Sequence, residues 1–304
     1  MLLPNAMRHN VTAAWGEPGA RWLDSLPSTL TAIARDWNLT LGAPFDLSYH
    51  YVAAATLPDG TPAVLKLGVP SADSLSEEAP ALEAFAGRGC VRLLRADLAR
   101  GALLLERALP GHRARDYPDE EATAAAADIM RVLHVPSPPL LTDVLVQASA
   151  FDEYLARFPD GTGPLPHAHV TTASGLMREL CASAPSRVLL HGDLHHDNVL
   201  RATRAPWLAI DPHGLTGDPS YEAGSWLFNP APEDRDPSLT ALTLPRLERF
   251  AALLGYPMDR LTGWGFVKSV LSDVWTAESW TPGCSWSPTS RAHDVASLLL
   301  PRLS

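Results

Sequence analysis

Two aspartates and an asparagine mark the stretch of this sequence that could do chemistry. Asp193 follows His191-Gly192, Asn198 comes five positions later, and Asp211 stands between Ile210 and Pro212. Each aspartate comes soon after a short apolar run, Val188 to Leu190 in one case and Trp207 to Ile210 in the other. Runs of this length suit buried strands, although periodicity alone does not separate them from helix. Gly192, Pro212 and Gly214 keep both from continuing. Two carboxylates and an amide thus leave the ends of neighbouring apolar segments. Such oxygens suit a hard cation such as Mg²⁺, which takes few protein ligands and keeps its waters and phosphate oxygens. A carboxylate beside them can accept a proton from a hydroxyl.

That order of Asp, Asn and Asp is the general-base and magnesium set of protein-kinase-like phosphotransferases. In that reading Asp193 accepts the proton of the substrate hydroxyl. Asn198 and Asp211 hold Mg²⁺ against the phosphates of ATP. Two other readings compete. His191, His195, His196 and Asp197 are dense in zinc-ligand types, and a zinc hydrolase would want them. Gly192 sits among them in a turn context, however, and zinc leaves the spacing to Asn198 and Asp211 unexplained. The plainer alternative is a polar loop capping a strand, with no chemistry at all.

The surrounding elements must position these groups. Residues 21–38 put Leu26, Leu30, Ile33 and Trp37 on one helical face, with Pro27 in a first turn. Tyr49–Thr56 and Pro62–Leu67 read as strands joined by the Pro58-Asp59-Gly60 turn. Lys66 lies in the second of them, where a buried lysine needs a partner. Leu75–Phe85 reads as a helix carrying Glu77, Glu78 and Glu83, with Pro80 an awkward interruption. Val91–Leu94 and Ala102–Leu105 read as two further strands. From Tyr117 the chain turns helical. Asp119–His134 has acidic residues in its first turn and Arg131 and His134 in its last, as a helix dipole favours. Phe151–Phe158 reads as a short helix, and Thr171–Ala184, Leu239–Leu254, Leu261–Trp280 and Pro288–Leu303 read as the remaining helices. Asp273, Trp275, Glu278 and Trp280 place aromatic faces beside carboxylates, a combination suited to a guanidinium-bearing ring. Tryptophans on a helix are otherwise core residues.

The stretches VLLHGDLHHDNVL, LAIDPHGLTGDPSYE, GRGCVRLLRAD and GALLLERALPG give the chain a closer likeness. It resembles the aminoglycoside and hydroxyurea phosphotransferases, streptomycin 6-kinases among them, from about Trp22 to the C-terminal helix. The resemblance implies an α+β, protein-kinase-like two-lobed fold. A small antiparallel N-lobe sheet with helices would occupy 1–107, and a mainly helical C-lobe 108–304. It implies that Lys66 grips nucleotide phosphates and pairs with Glu78, Glu83 being the alternative. Backbone groups of Glu106 and Ala108 would meet adenine. No GxGxxG precedes Lys66, and Ser48 in the corresponding loop is the candidate phosphate contact. Asp218 would steady the catalytic loop by accepting backbone hydrogen bonds, with His191 as a further support. Ser220 or Glu222 would cap a helix. Asp273, Trp275 and Glu278 would lie near the acceptor.

Composition narrows the partners. A formal net charge of −10 argues against nucleic acid, which needs a basic footprint, and weakly favours a cationic small-molecule substrate. No apolar run approaches the ~20 residues of a membrane span, and the first ten residues lack the apolar core of a signal peptide. Cys90, Cys181 and Cys284 are odd in number and widely spaced. They fit reduced, buried thiols and a cytoplasmic location. The expected activity is ATP- and Mg²⁺-dependent phosphorylation of a hydroxyl on an aminoglycoside such as streptomycin. Alternatives are a kinase for hydroxyurea or another small hydroxylated metabolite, and an inactive nucleotide-binding relative.

Overall fold

The computed structural model describes residues 3–70, 74–138, 141–230, 237–281, 284–286 and 291–303, and divides into two compact units that meet in sequence at Gly111 and His112. The first unit begins with α1 (Asn5–Asp36). This helix is longer than its apolar stripe suggests, because it continues on both sides of a break at Gly16, whose φ of +55° only glycine adopts cheaply. Pro18 follows that break in a fresh first turn. Pro27 lies in the helix interior rather than in a first turn. Leu26, Leu30, Ile33 and Trp37 are all buried, in one cluster with Tyr51, Leu65 and Leu67 of the sheet.

That sheet holds β1 (Thr40–Pro44), β2 (Tyr51–Thr56) and β3 (Pro62–Leu67), and beyond α2 (Ser74–Phe85) it adds β4 (Leu93–Asp97) and β5 (Ala102–Glu106). Its order is β1-β2-β3-β5-β4, with every neighbouring pair antiparallel. β1 carries Gly42 and Pro44, which hide it in the sequence, and its place at the sheet edge is where proline is tolerated. β4 starts two residues later than its apolar letters indicate. Val91 is buried outside the ladder, and the Arg92 N–H donates to the Glu106 carboxylate instead. α2 runs through Pro80 from a start at Ser74, so Glu78 stands on its second turn.

The chain leaves this unit through β6 (Pro110–Arg113). The second unit holds α3 (Asp119–Leu133), α4 (Ala148–Arg157) and α5 (His167–Ala182), then β7 (Val188–Leu190), β8 (Val199–Ala202), β9 (Trp207–Ala209) and β10 (Leu215–Gly217). It closes with α6 (Ala223–Phe228), α7 (Thr243–Leu254), α8 (Met258–Ala277) and α9 (Ala292–Leu299). The expected start of the last helix at Pro288 lies outside the described residues. β7 pairs antiparallel with β10, and β8 with β9. Among the described residues no helix is long and apolar enough to cross a membrane.

His134 caps α3 but does not act as a dipole-matching cation. Burial lowers its pKa to about 4, and its Nδ1 sits 2.9 Å from the Tyr256 hydroxyl. Cys90 and Cys181 are buried as expected, whereas Cys284 is exposed.

One buried cation organises the helical unit. Arg246 of α7 donates to Asp119 at the start of α3 and to the carbonyls of Trp226, Leu227 and Asn229 at the end of α6. Replacing it by Met keeps the volume but leaves those acceptors without their donor. Arg246→Met should lower the unfolding free energy by about 3 kcal/mol, as expected for a broken buried pair. Urea unfolding of the two proteins measures it, and a loss below about 1 kcal/mol would mean that water replaces the donor.

Candidate active site

Strand β7 delivers the chain into a turn whose first requirement is a glycine. Gly192 has φ +88°, and a Cβ there would come 3.0 Å from the Cβ of His213. The residue before it, His191, is fully buried and bonds in five directions. Its N–H donates to Glu222 Oε2 at 2.7 Å, and its carbonyl accepts from the N–H groups of His213 and Gly214. Its Nε2 lies 2.8 Å from the Ile210 carbonyl, and its Nδ1 accepts the Asp193 N–H at 3.4 Å. This pattern requires the neutral ring with the proton on Nε2. Burial lowers the His191 pKa to about 4, in agreement. His191 therefore ties the residue before Asp211 to the loop that carries Asp193.

The carboxylate that steadies this loop is Glu222, not Asp218. Glu222 accepts from His191 N and from Gly192 N at 2.7 and 2.9 Å. Asp218 faces away from the loop. It starts the single turn Pro219–Glu222 by accepting the Ser220 N–H, and it is held by Arg260 and by Trp264 Nε1. Burial pushes the Glu222 carboxyl up to about 7, against its two N–H bonds and the charge of Lys268.

Asp193 keeps a third of its side chain exposed, at 34%, so its carboxylate is open to solvent. His195 Nε2 lies 3.4 Å from Asp193 Oδ2, and His195 Nδ1 accepts the Asp197 N–H. Burial opposes the charge on Asp193. The His195 hydrogen bond and the charges of His195, His213 and Lys268 nevertheless hold its carboxyl far below the ordinary range. Burial likewise opposes a charge on His195, whose pKa is raised by Asp193, Asp197 and Asp211.

Asn198 is brought to the same loop. Its Nδ2 donates to the Asp193 carbonyl at 3.0 Å, which fixes which end of the amide is oxygen. Its carbonyl accepts the Ile210 N–H, so Asn198 and Asp211 leave the adjoining ends of β8 and β9. Asp211 has φ +62°, a left-handed conformation that costs a non-glycine residue on the order of 1 kcal/mol. One amide oxygen and one carboxylate are a donor set that fits Mg²⁺ with its waters and phosphate oxygens. They do not fit zinc. His191 and His195 use their ring nitrogens on protein groups, and His196 stacks at 3.7 Å on Trp226 with Nε2 towards Arg246. Among the described residues no three His, Cys, Asp or Glu side chains are arranged to hold a metal.

In the first unit, Lys66 meets Glu78 at 2.5 Å, both buried, so the partner is Glu78 rather than Glu83. Ser48 is exposed in the bend between β1 and β2. The Glu106 N–H is committed to the Arg92 carbonyl, and Ala108 lies in the segment leading to β6.

The residues singled out on and just after α8 separate. Asp273 is 4% exposed and faces His293 of α9 at 3.3 Å. Trp275, two residues on, is turned some 160° away around the helix and is 42% exposed. Glu278 is exposed just past the helix, and its carbonyl accepts from Arg157. Helical periodicity therefore does not gather them into one patch. The residue of α8 that does face the loop carrying Asp193 is one that no sequence motif marks. Lys268 is buried and donates to the Gly192 carbonyl and the Tyr221 hydroxyl.

Residues 42–279 match a family described as aminoglycoside/hydroxyurea antibiotic resistance kinase. The chain is 33% identical over 276 residues to hydroxyurea phosphotransferase of Kitasatospora aureofaciens, covering 86% of this chain and 76% of that one. It is 30% identical over 286 residues to streptomycin 6-kinase of Streptomyces glaucescens, covering 91% of each. Among solved structures, choline kinase LicA from Streptococcus pneumoniae superposes with a TM-score of 0.61 at 10% identity, covering 92% of this chain and 98% of that one. LicA in complex with AMP gives 0.59. The fold is the protein-kinase-like α+β fold.

The His191 ring makes stability depend on pH. Its pKa is about 4 when folded and near 6.5 when unfolded, so the unfolded chain binds the extra proton between those values. Stability is then full above pH 6.5 and falls as pH drops towards 4, by on the order of 3 kcal/mol from this group. Glu222, raised from 4.5, acts in the opposite sense between 4.5 and about 7. His191→Gln, which retains a donor near Nε2, should flatten the loss between pH 7 and 5 in denaturant titrations. An unchanged pH slope would reject this role for His191.

Proposed function

This chain belongs to the aminoglycoside/hydroxyurea antibiotic resistance kinase family, and from that premise we propose that it phosphorylates a hydroxyl of a streptomycin-like aminocyclitol with ATP and Mg²⁺. It is a phosphotransferase with an alcohol group as acceptor. The observation that carries the reading is the loop itself. An ionised, partly exposed carboxylate stands beside an oriented amide, with a second carboxylate at the adjoining strand end.

In this reading Asp193 accepts the proton of the acceptor hydroxyl and orients it. Its low pKa makes it a weak base but an ever-ready acceptor. Phosphoryl transfer asks for this, since positioning rather than proton abstraction carries most of the acceleration. Asn198 Oδ1 and the Asp211 carboxylate hold the cation, which when bound neutralises charge on the phosphates. Lys66, already fixed by Glu78, meets phosphate oxygens. Glu106 and Ala108 offer backbone groups to adenine, and Ser48 a hydroxyl to phosphate. The exposed ring of Trp275 and the Glu278 carboxylate would receive a guanidinium-bearing ring through stacking and charge. Asp273, buried and turned to His293, would support this surface from beneath. Such a substrate also suits the net charge of −10 and a cytoplasmic setting without nucleic acid or membrane. The likeness to hydroxyurea phosphotransferase supports a second reading, in which the acceptor is hydroxyurea.

ATP turnover measured across streptomycin, other aminoglycosides and hydroxyurea decides between the two readings. No turnover on any of them would reject both. Asp193→Ala should lower kcat by about 10²–10⁴-fold with nucleotide affinity little changed. A variant with near-normal kcat would remove Asp193 from the mechanism. Asp211→Asn should weaken nucleotide binding more in the presence of Mg²⁺ than in its absence. Equal loss under both conditions in a nucleotide titration would instead mean a folding role.

A further inference from the structure

Glu222 holds only the N–H side of the turn before Asp193. The carbonyl side is held by a cation from another helix. Lys268, 3% exposed on α8, donates from Nζ to the Gly192 carbonyl at 3.3 Å and to the Tyr221 hydroxyl at 2.8 Å. The Gly192 carbonyl belongs to the peptide bond whose nitrogen is that of Asp193. The N–H of the same peptide points to His191 Nδ1. Both ends of that peptide plane are therefore fixed, and with them the direction in which the Asp193 side chain leaves the backbone.

Neighbouring residues are built around the ammonium. It lies 4.5 Å from the centre of the Tyr221 ring and 5.8 Å from that of Trp275. The Tyr221 hydroxyl, accepting from Lys268, donates to Gln147 at 2.6 Å. Gly224 leaves room for the stem, since a Cβ there would come 2.5 Å from Lys268 Cγ. Burial opposes the charge on Lys268, but Tyr221, Asp193 and Glu222 favour it and raise its pKa. Removing the ammonium alone leaves the Gly192 carbonyl and the Tyr221 hydroxyl buried without their donor, so the lysine contributes to stability as well. Its geometry also serves the loop.

We propose that Lys268 is a positioning residue for phosphoryl transfer, fixing the Gly192–Asp193 peptide so that the Asp193 carboxylate meets the acceptor hydroxyl. The inference rests on Asp193 being the group that receives that hydroxyl's proton. Lys268 touches no reacting atom. Its loss should appear in kcat, since misplacing a reacting group by about 1 Å can cost on the order of 10²-fold.

The test compares the full-length wild type with Lys268→Met, Tyr221→Phe and Asp193→Ala, using ATP and whichever acceptor the wild type turns over. Lys268→Met should lower kcat by about 10–100-fold. Both KM values should stay within about threefold, and the thermal midpoint should fall, because two buried acceptors lose their donor. A merely structural lysine predicts the lower midpoint with the kcat of the folded enzyme preserved. A kcat within about threefold of wild type, or a fall in kcat that only follows a loss of folded protein, overturns the inference. Should Lys268→Met not fold, Tyr221→Phe keeps the ring and removes only the hydroxyl between Lys268 and Gln147. It should fold normally and lose about 3–10-fold in kcat, and an unchanged kcat there overturns the inference. Asp193→Ala separates the two levels. If it retains wild-type kcat the base assignment fails, whereas its inactivity beside an active Lys268→Met defeats only the role of Lys268.

Discussion

Two consecutive peptide N–H groups, those of His191 and Gly192, point into the one buried carboxylate of Glu222. Past β7 the chain turns away from its ladder, and buried N–H groups there must find another acceptor or cost free energy. Glu222 satisfies both, and its own placement is inherited. Arg260 and Trp264 fix Asp218, Asp218 starts the turn Pro219–Glu222, and that turn aims Glu222 at the loop. A chain of bonded groups thus runs from α8 to the N–H groups of His191 and Gly192, just before Asp193. Its links are charged and aromatic side chains joined by one short turn.

The three histidines of the motif look alike in sequence and do different things. His191 is a neutral tie between two strand ends, and His195 is a donor beside Asp193. His196 is a buried plate on Trp226, kept neutral by burial and by Arg246. Residue type made them candidate zinc ligands, but backbone geometry sends each ring to a different neighbour. The loop is consequently held on one side by Glu222 and Lys268, and on the other by the Arg246–Asp119 network.

Local features were legible in the sequence. Asp193 and Asp211 follow short apolar strands, Asn198 stands just before another, and Lys66 finds its partner twelve residues away on the next element. What escaped depends on direction rather than residue type. Asp218 and Glu222 are both carboxylates a few residues past β10, and only the turn between them decides which faces the loop. β1 was hidden by a glycine and a proline that an edge strand accepts, and α1 by a break that a helical wheel does not register. Lys268 lies 76 residues from the carbonyl it binds, within a helix apolar on nearly every side, so no spacing announced it.

The exposed surface of α8 follows from the same kind of geometry. Trp275 and Lys268 are seven residues apart, two turns, and so share a face, with the ammonium 5.8 Å from the indole centre. The indole adds a polarisable surface to a cation that is already desolvated, which strengthens the attraction beyond its value in water. It also keeps much of its own surface exposed at 42%. One side chain thereby belongs both to the support beneath Asp193 and to the solvent-facing surface of the helix. A ring stacked on Trp275 would press on the same indole that Lys268 faces. Two adjacent contacts thus separate the exposed indole from the Gly192 carbonyl, with the Lys268 ammonium between them.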